Sequence, residues 1–90
     1  MNNEIRESSW EQTIGDRLRK AREITGMTKE EFAEKTEISR TVVANLENGI
    51  GPYKLPYLIT WATVTGASLE WIKTGTTPDP NSAQARQGVA

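Results

Sequence analysis

The stretch MTKEEFAEKTEISRTVVANLENG, Met27 to Gly49, holds two short helical patterns with very little chain between them. Thr28 precedes Glu31 by three residues, the spacing at which two side chains satisfy each other's backbone N–H groups at a helix start. Phe32, Ala33 and Thr36 then form the inner face of a helix predicted over about Lys29 to Lys35. Ser39 is the next N-cap, and Val42, Val43 and Leu46 form the inner face of a helix over about Arg40 to Glu47. Asn48 and Gly49 end it. The opposite side of this second helix carries Arg40, Thr41, Ala44 and Asn45, an unusual set for a buried face.

Helices this short are marginal in water and must pack on neighbours. A connection of about three or four residues forces them into a tight, steep crossing, the geometry of a helix-turn-helix. Ala33 supplies the small residue a close crossing needs, and Ile38 fills the gap just after the turn. Once Val43 and Leu46 point inward, Arg40, Thr41, Ala44 and Asn45 are left facing out.

The flanking sequence adds three more helices. Residues 1–8 are polar and unpatterned and read as a flexible arm. Ser9 and Gln12 have capping-box spacing, and Trp10, Ile14, Leu18, Ala21 and Ile24 or Thr25 recur at helical intervals. They predict a helix from about Trp10 to Thr25, stopped by Gly26. Its basic run of Arg17, Arg19, Lys20 and Arg22 is flanked by Asp16 and Glu23 and reads as a solvated face with local salt bridges. Ile50 to Lys54 reads as a loop. Leu55 and Pro56 open a fourth helix with Leu58, Ile59, Ala62 and Val64 or Thr65 on its apolar side, ended by Gly66. Ser68 caps a last short helix carrying Leu69, Trp71 and Ile72. Trp61 and Trp71 are assigned to the core or to a dimer interface. The expected fold is all-α, five short helices in one domain spanning 9–75, with a disordered tail over 76–90.

Composition narrows the chemistry. The chain of 90 residues suits one small domain, and its 36% hydrophobic share leaves part of it outside any core. It contains neither cysteine nor histidine, so disulfides, thiolate metal sites and Ser-His catalysis are ruled out. No acidic cluster is framed by apolar residues as a catalytic carboxylate pair would be. No enzyme, cofactor, metal or small-molecule substrate is therefore expected. No run approaches 18 apolar residues, and the N-terminus lacks the basic-then-apolar order of a signal peptide, so neither a membrane partner nor export is expected. Net charge is −1, so any attraction to nucleic acid must be local.

The segment from about Ile14 to Gly75 resembles the lambda-repressor-like helix-turn-helix family, the Xre or Cro/C1 type. The resemblance rests on residues 27–49, on LENG at the end of the third helix, on GASLEWIKTG at the close, and on IGDRLRKAREITGMT at the start. Two positions depart from the family pattern. The turn residue after Thr36, usually a glycine in left-handed conformation, is Glu37, at a cost of about 1 kcal/mol. The first residue of the second helix, often glutamine, is Lys29.

The resemblance implies a sequence-specific regulator that lays its third helix in the major groove of double-stranded DNA. By position, Arg40, Thr41 and Asn45 would read base edges, with Ala44 near a thymine methyl. Thr28, Lys29, Ser39, Asn48 and Lys54 would contact phosphates, with Arg17 and Lys20 joining them if the first helix turns that way. Tyr53 and Tyr57 flank Lys54 and are candidates for the DNA backbone or for plain loop exposure. Between Ile14 and Lys54 eight basic residues face seven acidic ones, so non-specific affinity should be weak. The implied protein is a repressor or Cro-like regulator in a bacterial or phage cytoplasm, a homodimer at least on its operator. An antitoxin repressing its own operon, and a protein-interaction module on the same fold, are the alternatives.

Overall fold

The computed structural model describes residues 13–76, which form five α-helices. They are α1 (Ile14–Thr25), α2 (Lys29–Thr36), α3 (Arg40–Glu47), α4 (Leu55–Thr65) and α5 (Leu69–Thr74). No strand occurs among the described residues. The expected N-terminal arm, Trp10, and the expected tail from 77 onward lie outside them.

Local chemistry places the helix ends. Thr28 and Glu31 form the reciprocal capping box at the start of α2. Ser39 and Ser68 cap α3 and α5 through Val42 N–H and Trp71 N–H. Pro56 lies in the first turn of α4, where no partner is lost for want of its N–H. The start of α1 differs from expectation. A capping box of Thr13 with Asp16 begins it at Ile14, not at Trp10. Thr13 offers the hydroxyl and Asp16 the returning carboxylate, which is the same device expected of Ser9 and Gln12.

Helix α1 packs on α3, α4 and α5, and α2 packs on α3 and α4. The core is Leu18, Ala21, Phe32, Ile38, Val43, Leu46, Leu58, Trp61, Ala67, Trp71 and Ile72. At its centre Phe32 and Trp61 lie with ring centroids 4.6 Å apart, tilted by 49°. The Trp61 indole N–H donates to the Leu18 carbonyl at 2.9 Å, so the buried ring leaves no orphan donor. Two assignments of apolar faces fail. Ile24 and Thr25 at the end of α1 are exposed, as is Ile59 of α4, because the core ends at Ala21 on one helix and turns toward Leu58 and Trp61 on the other.

Candidate nucleic-acid interface

Three residues, Glu37 to Ser39, join α2 to α3. Glu37 adopts φ 63° and ψ 26°, the left-handed conformation expected of this turn. The Thr36 hydroxyl donates to the Phe32 carbonyl at 2.8 Å and accepts from Ile38 N–H at 3.2 Å, satisfying the backbone where the helix stops. Ile38 is buried beneath the turn. Both helices are thus seated on the core through Phe32, Ile38, Val43 and Leu46.

The outer side of α3 follows from that seating. Arg40 and Thr41, in its first turn, are exposed, while Ala44 and Asn45 on the next turn are half-buried. Lys54 and Ser39 are exposed, as are Thr28 and Asn48, and Lys29 is half-buried. Asn45 also lines an open cleft of about 240 Å³ with Val42, Ile50, Pro52, Lys54 and Tyr57, so Lys54 and Asn45 border one groove.

Several of these groups already have partners. Arg40 Nε donates to Glu30 Oε2 of α2 at 2.8 Å. The bond with Arg40 holds the Glu30 carboxyl below the usual carboxylate range. Thr28 N–H donates to Glu31 Oε1 at 2.9 Å, so the capping carboxylate occupies an amide that a phosphate would otherwise take. The Ser39 hydroxyl is likewise engaged as a cap on Val42 N–H. The Asn48 side-chain oxygen accepts from Arg19 Nη2 at 3.3 Å.

The basic run on α1 is a solvated face only in part: Arg19 and Lys20 are half-buried, whereas Arg17 and Arg22 turn inward. Arg22 is buried and donates from Nε to Glu47 Oε2 at 2.7 Å and from Nη2 to Oε1 at 3.0 Å, a two-pronged pair with the last residue of α3. The Glu47 side chain has 0% exposure. Hydrogen bonding to Glu47 raises the Arg22 pKa still further above neutrality. Arg22 Nη1 donates to the Met27 carbonyl at 2.8 Å, which leaves that guanidinium well satisfied. Arg17 is buried as well, donating from Nε to the Ile72 carbonyl at 2.9 Å and from Nη2 to the Lys73 carbonyl at 3.3 Å. It ties α1 to α5, which removes it from the phosphate contacts considered for it. Burial lowers its pKa.

Tyr53 is no loop tyrosine open to solvent. It is half-buried and its hydroxyl donates to the Leu46 carbonyl at 2.8 Å, closing off the end of α3. Burial raises its phenol pKa. The Arg22–Glu47 pair and Tyr53 were missed in the sequence, yet one signal was there. Arg22 lies four residues after Leu18, and Glu47 four after Val43, so each continues an apolar stripe. For Tyr53 no such spacing exists.

Residues 18–72, more than half of the chain, match the helix-turn-helix family. The chain belongs to this family of DNA-binding regulators, of the Cro/C1 type. No curated protein matches it. No helix among the described residues is long and apolar enough to cross a membrane.

Proposed function

We propose that the protein is an operator-binding transcriptional regulator of the repressor or Cro kind, reading DNA as a homodimer through the outer face of α3. One observation carries the reading. The inner side of α3 is fastened by core packing, the Arg22–Glu47 pair and Tyr53, while Arg40, Thr41, Ala44 and Asn45 are left on its other side. Arginine donates twice to guanine and asparagine pairs with adenine, each worth roughly 1–3 kcal/mol of discrimination. Thr41 and Ala44 are sized for a hydroxyl contact and a thymine methyl. Lys29 and Lys54 supply charge toward phosphates, with Thr28, Ser39 and Asn48 at the edges of the same surface. Two-fold pairing of copies would set recognition helices about 34 Å apart, one turn of DNA. The exposed apolar side chains Ile50, Leu55 and Ile59, in the loop and on α4, favour that region for the contact between copies.

Selection of bound sequences from a random duplex pool tests this. The expected product is a palindrome with half-site centres about ten base pairs apart, at which Asn45→Ala relaxes one position in each half. A pool without enrichment, together with binding that vanishes at moderate salt, would sink the operator reading. The same surface would then belong to a protein partner, the reading that exposed Glu30, Glu31, Glu34 and Glu37 beside α3 favour.

A further inference from the structure

Arg40 is the first residue of α3 and Glu30 the second residue of α2, and their side chains meet across the turn at 2.8 Å. Both side chains are largely exposed, at 51% and 66%. An exposed pair of this kind adds little to folding stability. Its effect on the arginine's geometry is larger. A guanidinium offers a side edge, Nε with one terminal nitrogen, and an end edge formed by both terminal nitrogens. Glu30 takes the side edge through Nε. That leaves the end edge for the paired acceptors of a guanine. A long, flexible arginine loses rotamer freedom on binding, and a side chain already held in place loses less.

The pair also changes what attracts Arg40. Phosphates draw any unpaired cation irrespective of sequence. A carboxylate on the guanidinium cancels most of that pull, and its negative charge repels phosphates. A base edge still gains directional hydrogen bonds from the free terminal nitrogens.

We propose that Glu30 is a specificity-determining positioning residue. It holds the end edge of Arg40 toward the bases and keeps the arginine off the phosphate backbone, lowering overall affinity while raising discrimination. This rests on the reading of α3 as the DNA-reading helix.

The test uses the full chain, its selected operator, and a set of duplexes in which each G·C pair of the operator is replaced in turn. Binding is measured at two salt concentrations for the wild type, Arg40→Ala, Glu30→Ala, Glu30→Gln and the Glu30→Ala/Arg40→Ala double variant. Arg40→Ala first identifies the base pair that the arginine reads. Glu30→Ala should lose about tenfold in discrimination at that pair alone. It should also bind unrelated duplex more tightly, with a salt dependence steeper by about one charge. Glu30→Gln, which retains an acceptor for Nε, should keep most of the discrimination while sharing the tighter non-specific binding. In the Arg40→Ala background, Glu30→Ala should leave discrimination unchanged. Equal tightening on every duplex with discrimination intact would overturn the proposal and leave Glu30 as a simple repulsive charge. A discrimination loss that persists without Arg40 would overturn it too, since Glu30 would then act by another route. If Arg40→Ala alters no position of the operator, the DNA reading of Arg40 fails first, and the proposal falls with it.

Discussion

Glu37 is the one non-glycine residue at positive φ among those described, and its conformation is imposed by the two helices it joins. A side chain held in this left-handed region costs about 1 kcal/mol, part of which glycine returns through its greater freedom in the unfolded chain. Glu37→Gly should therefore stabilise the domain slightly, by about 0.5 kcal/mol at most, in urea denaturation. A destabilised variant would show that the carboxylate has a stabilising role that outweighs the strain. Glu47 presents the opposite case. Its buried carboxylate neutralises buried Arg22, and removing one member of such a pair strands the other's charge in the core. Glu47→Ala should cost about 3–5 kcal/mol, whereas Arg22→Met with Glu47→Leu should recover most of that loss. Thermal melts of the single and double variants decide the point. Equal losses in both would mean that packing around α3 matters and the charge does not.

Helix α1 governs how firmly α3 is held. A Cβ on Gly15 would come within 2.7 Å of the Leu46 carbonyl oxygen and 2.9 Å of the Glu47 carbonyl oxygen. Both are backbone atoms at the end of α3, so neither can swing aside. Alanine is the better helix former by about 1 kcal/mol, yet Gly15→Ala should destabilise the domain by about 1–3 kcal/mol, because α1 and α3 must separate. The check is a melting temperature below that of the wild type; an increase would mean that the helices part without loss. Much of this arrangement was legible in the sequence. Capping residues Thr28, Ser39 and Ser68 and the stripe of Phe32, Val43 and Leu46 delimit α2, α3 and α5 locally, and the structure keeps them. The start of α1 was misplaced because Ser9 and Thr13 are both acceptable caps, and the apolar spacing of Trp10 favoured the earlier one. Ile59 was misassigned because α4 is apolar nearly all round, so periodicity could not choose its buried side. The outward face of α3 was legible by elimination. The pairing of Arg40 with Glu30 was not, since it joins residues on two helices and depends on their crossing.

Charge across the whole domain is close to balanced, and structure reduces the mobile part further. Of the eight basic residues from 14 to 54, Arg17 and Arg22 are spent inside and Arg40 is paired at the surface. The slope of log affinity against log salt should accordingly be shallow on unrelated duplex, corresponding to about two or three released counterions per protomer. Titrations across a range of salt concentrations measure it, and a slope steeper by one or two charges would mean that Arg6 or Arg86, outside residues 13–76, adds its charge at the DNA. The buried tie of Arg22 to Glu47 has a consequence on a longer timescale. Each partner is tolerable in the core only while the other is there, so a lineage cannot shed them one at a time without passing through a poorly folded ancestor. The two positions should descend as a single hereditary unit, kept together or replaced together by apolar residues. On the DNA reading proposed for α3, Asn45 rests on that fixed scaffold and is free to drift with the sequences it meets, while Arg40 drifts together with Glu30.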